Sequence, residues 1–362
     1  MANTQVLTSS AEPTAQGVIK TWANKPDPGL IKTIDFSDFL SGDEKRVKFC
    51  LSELHEACVE HGFFQIINHP VSLETQKAIL KASADFFALP REEKGKAKLD
   101  QRQNDHNRGY QTLLSQKYKE EDTAPDLKEG YYVGPELSWD HPQVVAGKFA
   151  HGPNYWPESL GQGFQDVCMD YLEQLNFLSV EVLRAVSMSV DGNVEETNEF
   201  IKHFTEGPIT YFKMNHYPKP PRMDDIGQKG HGEHKDFGFV TLLLQDGNPG
   251  LEVWDAPSES WIDVPPTEGA FVVNLGNLLE RWTNRKYLSN VHRVLNFSGT
   301  DRHSIAHLYH GNPDYMIEAK KSCYDPAVGP EFGPIRIEDF VRGKYDEVYA
   351  RAGVIPTDHK AH

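Results

Sequence analysis

The sequence predicts a protein of mixed α and β structure, in which a helix-rich N-terminal half flanks a β barrel or sandwich built by the C-terminal half. Three observations carry this. Up to about residue 190, apolar residues recur at three- and four-residue steps, as amphipathic helices require. Beyond about residue 205, short strand-like runs follow one another closely, punctuated by Gly, Asn, Asp and Pro. The chain, at 362 residues, is long enough to bury a large core as one domain or two.

The elements follow in order. Residues 1–30 are rich in Ser, Thr, Ala and Pro and read as a mobile lead-in. Ser41 or Asp43 caps a helix whose apolar residues are Val47, Cys50, Leu51, Leu54 and Cys58, and Gly62 ends it. "FFQIINH" then reads as a strand, with His69 structural at its end beside Pro70. A second helix carries Ile79, Leu80, Ala82, Phe86 and Phe87 and stops before Pro90. Residues 92–160 are polar. "NRGYQ" (107–111) and "DLKEGYYVG" (126–134) read as short strands or loops, and "HGPNYWPE" (151–158) is turn chemistry. A long helix from Phe164 to Val190 places Val167, Tyr171, Leu175, Leu178, Val182 and Val186 on one stripe. The strand-like runs are "ITYFKMNHY", "FGFVTLLLQD", "LEVWD", "WIDVP", "AFVVNLG", "VHRVLNF" and "HSIAHLYH". A last helix spans about Ile337–Arg351. The expected organisation is a lead-in (1–30), a helix-rich region packing on the core (31–200), the β core (201–350) and a tail (351–362), folding as one unit.

Composition narrows the function classes. With 38% hydrophobic and 25% charged residues the chain is an ordinary globular protein. Lys and Arg number 37 against 53 Asp and Glu, a net charge of −16, which disfavours nucleic acid and anionic membrane surfaces as partners. No apolar run is long enough to span a bilayer. Cys50, Cys58, Cys168 and Cys323 form no CxxC pair and read as free thiols. With no secretory signal at the N-terminus, the expected place is the cytoplasm.

The chemistry begins at "HGEHKDFGFVTLLLQD" (231–246). On a strand, residues two apart point to one face, about 6.6 Å apart along the backbone, so His234 and Asp236 are expected to project together. An imidazole and a carboxylate suit a divalent first-row metal. A second imidazole, from His292 in "SNVHRVLNF", completes two His and one carboxylate; such a triad leaves half the coordination shell open and suits oxygen-activating iron(II). Ten residues further on, Arg302 and Ser304 stand two apart in "TDRHSIAHLY", and an Arg fork with a hydroxyl can hold a carboxylate. "YFKMNHYP" places Lys213, Asn215 and Tyr217 on one face, adding an amide and a phenol toward the same small acid.

The combination resembles the iron(II)- and 2-oxoglutarate-dependent dioxygenases, in the branch similar to isopenicillin N synthase. The matching motifs are HxD (His234-Lys235-Asp236), "HRV" with His292, RxS (Arg302-His303-Ser304) and NxYP (Asn215-His216-Tyr217-Pro218). "HGFFQIINHPV", "ASADFFALPREEK" and "NLGNLLERWTN" resemble other stretches of that branch, and the similarity runs from about residue 32 to about 350 in the expected order. No single motif is specific; their joint order is. The resemblance implies a double-stranded β-helix (jelly-roll) core with the metal at its open end. It implies Fe(II) on His234, Asp236 and His292. The far carboxylate of 2-oxoglutarate would sit on Arg302, Ser304 and Tyr217, with Asn215 at the other end of that co-substrate, and O2 as the oxidant. Decarboxylation to succinate and CO2 would drive hydrogen abstraction from a C–H bond of a small metabolite, ending in hydroxylation, desaturation or ring closure, as this branch does in specialised metabolism.

The chain departs from the branch in places. Lys213 stands where many relatives carry Arg, and His303, His307 and His310 stand where aromatics are usual. By strand alternation His303 and His307 face away from Arg302 and Ser304 and are expected to be non-ligands; His231 reads as a loop histidine. Tyr110, Tyr131, Tyr132, Lys213 and Phe239 are the expected substrate contacts. Two alternatives share these motifs: an Fe(II) oxidase of the isopenicillin N synthase type that works without 2-oxoglutarate, and a non-catalytic metal-binding jelly roll.

Overall fold

The computed structural model describes residues 27–97, 106–115, 125–220 and 229–351. Most of the expected lead-in and of the C-terminal tail lies outside these residues; Pro28–Leu30 form a short 3₁₀ turn.

In chain order the strands of the two main sheets are β1 (Thr33–Asp35), β2 (Phe63–Ile67), β3 (Gly109–Gln111), β4 (Glu129–Val133), β5 (Ile209–Tyr217), β6 (His231–His234), β7 (Val240–Gln245), β8 (Leu251–Asp255), β9 (Ser260–Asp263), β10 (Phe271–Leu275), β11 (His292–Val294) and β12 (Arg302–Gly311). They build an eight-stranded sheet, ordered β1-β2-β10-β7-β12-β5-β4-β3, and a four-stranded sheet, ordered β6-β11-β8-β9. Every pairing in these two sheets is antiparallel except β1 with β2. This is the double-stranded β-helix. Strands β1 to β4, from the helix-rich half, extend the large sheet at both ends.

Both faces of the large sheet are covered, which explains its near-continuous apolar runs. In β10, Phe271, Val273 and Leu275 join the core beneath the helices, while Val272 joins the smaller core with Val253, Ile262 and Val294 of the other sheet. The helix Gly161–Asp191 buries Tyr171, Leu175, Leu178, Val182 and Val186 against the outer face of the large sheet. Each such fully buried aliphatic side chain contributes roughly 1.5–3 kcal/mol.

Local signals set the ends of the helices. The Asp43 carboxylate, not Ser41, accepts the N–H groups of Lys45 and Arg46 and starts helix Glu44–Glu60. Gly62 ends it at φ +63, where a Cβ would also meet the Leu288 carbonyl oxygen at 2.0 Å. Five helices go beyond the sequence reading, among them the short Ser37–Leu40, Arg91–Lys96 and Pro142–Val145. Val194–Phe204, capped by Asn193, fills the stretch before β5, and Asn277–Trp282 follows β10. No helix among the described residues is long and apolar enough to cross a membrane.

Candidate active site

Between the two sheets lies a cleft whose atom-free space, its open mouth included, is about 990 Å³. The strand registers decide what faces it. β12 runs antiparallel to β5 with Arg302 opposite Tyr217, Ser304 opposite Asn215 and Ala306 opposite Lys213. Tyr217, Asn215, Lys213, Ser304 and Ala306 line the cleft.

His234, Asp236 and His292 come together at one wall of this cleft. Their ligand atoms all lie within 4.8 Å of one another, and among the described residues this is the group of three or more such side chains able to hold a metal ion. His234 on β6 is the register partner of His292 on β11. His234 Nε2 lies 3.7 Å, and His292 Nε2 3.9 Å, from Asp236 Oδ1. The reason for the pairing of His234 and Asp236 differs from strand alternation. β6 ends at His234, and Asp236 lies in the connection that follows. The Asn277 N–H on the Asp236 carbonyl, at 2.8 Å, holds that turn.

The donor set is prepared for a cation. His234 Nδ1 lies 2.8 Å from the Gly232 carbonyl and His292 Nδ1 3.3 Å from the Asn290 carbonyl. Those contacts place the proton on Nδ1 and make Nε2 the ligating atom of each ring. Burial, then the neighbouring His292, holds the His234 pKa well below the usual imidazole value; burial also lowers His292. For Asp236 burial acts upward, but the two imidazoles and the hydrogen bonds from Asn274 and Thr241 outweigh it and hold the carboxyl below its ordinary range. The result is two neutral imidazoles and one carboxylate.

Arg302 is fully buried. Nε donates to the Asn248 carbonyl at 3.2 Å and Nη2 to Gln245 Oε1 at 2.8 Å, both neutral acceptors, and the guanidinium lies over the Tyr217 ring at 5.1 Å. Nη1 has no hydrogen-bond partner, nor has Asn215 Oδ1. A buried guanidinium facing only neutral acceptors fits a carboxylate guest.

The remaining sequence candidates divide. Tyr132 and Lys213 line the cleft. Tyr110, Tyr131 and Phe239 do not, because they face the helices. Tyr110 donates to Glu129 Oε2 at 2.5 Å, Tyr131 stacks on Phe86 at 4.2 Å and donates to the Tyr155 carbonyl, and Phe239 packs on Phe204 at 4.6 Å. His303 stacks on His216 at 4.8 Å on the outer face, and His307 is buried against Ser179 and Thr210. His231 belongs to β6, not to a loop, and stacks on His234 at 3.8 Å. His69 packs on Phe271. Sequence reasoning missed Tyr211 and His310, which line the cleft and meet through Tyr211 Oη and His310 Nε2 at 3.1 Å. The alternation that put Asn215 with Tyr217, and Ser304 with Arg302, extends to both. Phe237, Asn274 and Tyr345 also line it and carried no sequence signal.

A cleft in a double-stranded β-helix, with two imidazoles and a carboxylate in its wall and a buried arginine against its Tyr217 ring, defines the class of non-haem metal oxygenases. Residues 31–159 match the family model "non-haem dioxygenase in morphine synthesis N-terminal", and residues 209–311 match that of the 2OG-Fe(II) oxygenase superfamily. The chain is similar to the 2-oxoglutarate-Fe(II) type oxidoreductase hxnY of Emericella nidulans, 42% identical over 88% of this chain and 90% of that protein. It is similar to clavatol oxidase claD of Penicillium crustosum, 37% identical over 88% and 96%. A full-length Neurospora crassa protein solved in complex with alpha-KG and thymine matches at a TM-score of 0.77 and 30% identity, over 88% of this chain and 97% of that one. The chain belongs to the 2OG-Fe(II) oxygenase superfamily. It is an Fe(II)- and 2-oxoglutarate-dependent dioxygenase, with O2 as co-substrate.

Proposed function

We propose that the protein oxidises a C–H bond of a small-molecule metabolite in this cleft, with His234, Asp236 and His292 holding the iron. The observation that carries the reading is the convergence of these three donors, from β6, its following turn and β11, at one wall of the cleft. When bound, Fe(II) with 2-oxoglutarate and O2 supplies the oxidising power that amino-acid side chains lack, and succinate and CO2 leave as products.

The protein's own groups hold and orient. Arg302 would take the far carboxylate of 2-oxoglutarate through its unpartnered Nη1, with Ser304 two residues along the same strand and Tyr217 opposite on β5. The unpartnered Asn215 amide oxygen lies on the same wall, toward the other end of that molecule. The Neurospora crassa relative was solved with thymine and with 5-formyluracil, which supports a small-molecule substrate here. Four free cysteines, three of them buried, support the reducing cytosol as its location.

The test is anaerobic addition of Fe(II) and 2-oxoglutarate, read as their visible charge-transfer absorption. Asp236→Ala and His292→Ala are expected to abolish it; a band retained in both variants removes the ligand assignment. Succinate formed in step with oxidised substrate separates the dioxygenase from the oxidase.

A further inference from the structure

Lys213 stands in the cleft wall without a carboxylate of its own. It lies on β5 with Tyr211, Asn215 and Tyr217 on the same inward face, and it is 7% exposed. Nζ donates to the neutral Gln111 Oε1 at 2.9 Å and sits 4.8 Å from the centre of the Tyr132 ring. The acid whose charge acts on it is Asp126. Asp126 already lies 3.3 Å from Lys128 Nζ and accepts the Gly232 N–H at 2.9 Å. Lys213 and Lys128 thus lie in the field of the same buried carboxylate, and Asp236 acts on Lys128 as well. Burial, with Lys128 as neighbour, holds the Lys213 pKa well below the usual lysine value. The hydrogen-bond partner of Lys213 Nζ is neutral, and a buried amine there is charged at least cost beside an anion.

The position is built around the lysine. β4 sets Tyr132 opposite Lys213 and Gly130 opposite Asn215. A Cβ on Gly130 would meet Lys213 Cε at 2.4 Å and Nζ at 3.3 Å. A glycine inside a buried strand weakens the strand and marks a close approach; here it makes the room that the lysine stem fills. Around it, Tyr132, Tyr211, Phe237 and Tyr345 give the cleft flat walls, which suit a planar molecule.

We propose that Lys213 is the specificity-determining residue of this site, binding an anionic oxygen on a small planar substrate: a carboxylate or an ionised ring hydroxyl. The proposal rests on the reading of the cleft as the oxygenase site. The ammonium anchors the anion, the aromatic walls hold the ring, and both direct a fixed edge of the molecule toward the His234, Asp236 and His292 wall.

Matched pairs test it on the protein loaded with Fe(II) and saturating 2-oxoglutarate under anaerobic conditions, by calorimetry and by perturbation of the charge-transfer band. Benzoate against benzamide probes a carboxylate; 4-nitrophenolate against 4-nitroanisole probes an ionised hydroxyl. At least one anion is expected to bind about tenfold or more tighter than its neutral partner, as a desolvated charge pair allows. Lys213→Gln is expected to abolish that preference and Lys213→Arg to retain it. Gly130→Ala, which displaces the amine without removing it, is expected to weaken the anion and spare the neutral partner; it keeps the test standing should Lys213→Gln fail to fold. Equal binding within both pairs, no binding of either anion at millimolar concentration, or a preference that survives Lys213→Gln overturns the proposal. The unperturbed band, recorded before any probe is added, belongs to the oxygenase reading: its absence in the parent protein sinks that reading, whereas its presence with equal binding sinks the role of Lys213 alone.

Discussion

Asn274 Nδ2 donates to Asp236 Oδ2 at 2.7 Å, and so leaves Oδ1 of the same carboxylate turned toward His234 and His292. Asn274 on β10 is the register partner of Thr241 on β7, whose hydroxyl donates to the same Oδ2 at 2.5 Å. Two strands of the large sheet thus fix the orientation of a carboxylate that sits outside any strand. Such supporting contacts are worth about 10–100-fold in metal affinity. Asn274→Leu and Thr241→Val are each expected to weaken Fe(II) binding by about that factor while the far-UV circular dichroism stays unchanged. Competition against a chelator measures it, and unchanged affinity in both variants removes the positioning role.

Arg302 is expected to act on the co-substrate and not on the substrate. Truncating one partner of a buried, hydrogen-bonded charge pair costs about 2–5 kcal/mol, so Arg302→Gln should raise the KM for 2-oxoglutarate by roughly 30-fold or more. Arg302→Lys should recover little, because an ammonium cannot serve the Asn248 carbonyl, the Gln245 amide and a guest carboxylate with one planar fork. Steady-state kinetics with each co-substrate varied in turn separates the effects. A rise confined to the KM of the organic substrate would contradict the assignment.

On the outer face, Glu129 ties the β4 end of the large sheet together and sets a pH dependence of stability. Lys94 Nζ donates to Glu129 Oε2 at 2.8 Å, and His216 Nδ1 lies 2.8 Å from Oε1. Burial pushes the Glu129 carboxyl upward, but the hydrogen bonds from His216, Lys94 and Tyr110 outweigh it, and its pKa in the folded state is lowered. A lowered carboxylate pKa stabilises the fold above the unfolded-state value of about 4.3, and that stability is lost as the pH falls through the lower folded value. Glu129→Gln is expected to cost about 3 kcal/mol at neutral pH, since it leaves Lys94 buried without its counter-charge. The deficit should shrink below about pH 4. Urea unfolding across that range tests both; a deficit independent of pH would assign the loss to packing alone.

Periodicity carried the fold a long way. The stripe from Val167 to Val186 and the short runs after residue 205 were legible because both buried faces repeat at the period of their element. Helix Val194–Phe204 was not. It starts two residues after the left-handed Gly192, and its large apolar residues, Phe200, Ile201 and Phe204, crowd into the last turns. At the site, the sequence named the three donors that meet, but through the wrong geometry, because where β6 would end depended on the Asn277 contact, which comes from far along the chain. Tyr110, Tyr131 and Phe239 have the aromatic rings that suit a substrate wall but face the helices instead. Which face of its strand each residue takes is fixed by pairing partners that a single segment does not reveal.

The turn that carries Asp236 gives a last prediction, through a backbone contact. Gly276 N–H donates to the Phe239 carbonyl at 3.0 Å, Leu278 N–H to the Gly238 carbonyl at 3.1 Å and Asn277 N–H to the Asp236 carbonyl at 2.8 Å. A Cβ on Gly276 would meet the Gly238 carbonyl oxygen at 2.1 Å and its carbonyl carbon at 2.7 Å. The φ of Gly276 is −100, a value open to any residue, so the obstacle is this close approach and not backbone strain. Atoms of the main chain cannot swing aside as a side chain does. Gly276→Ala is therefore expected to push the two segments apart, at a cost of about 1–3 kcal/mol or more. Because the same segments hold Asp236, Fe(II) affinity should fall together with the melting temperature. Gly247→Ala is the control: nothing lies within 4 Å of its Cβ position, so its stability should change by no more than about 0.5 kcal/mol and its metal affinity not at all. Thermal unfolding with and without Fe(II) reads both quantities on each variant. If Gly276→Ala melts and binds metal as Gly247→Ala does, the close packing of these two segments does not govern where Asp236 sits.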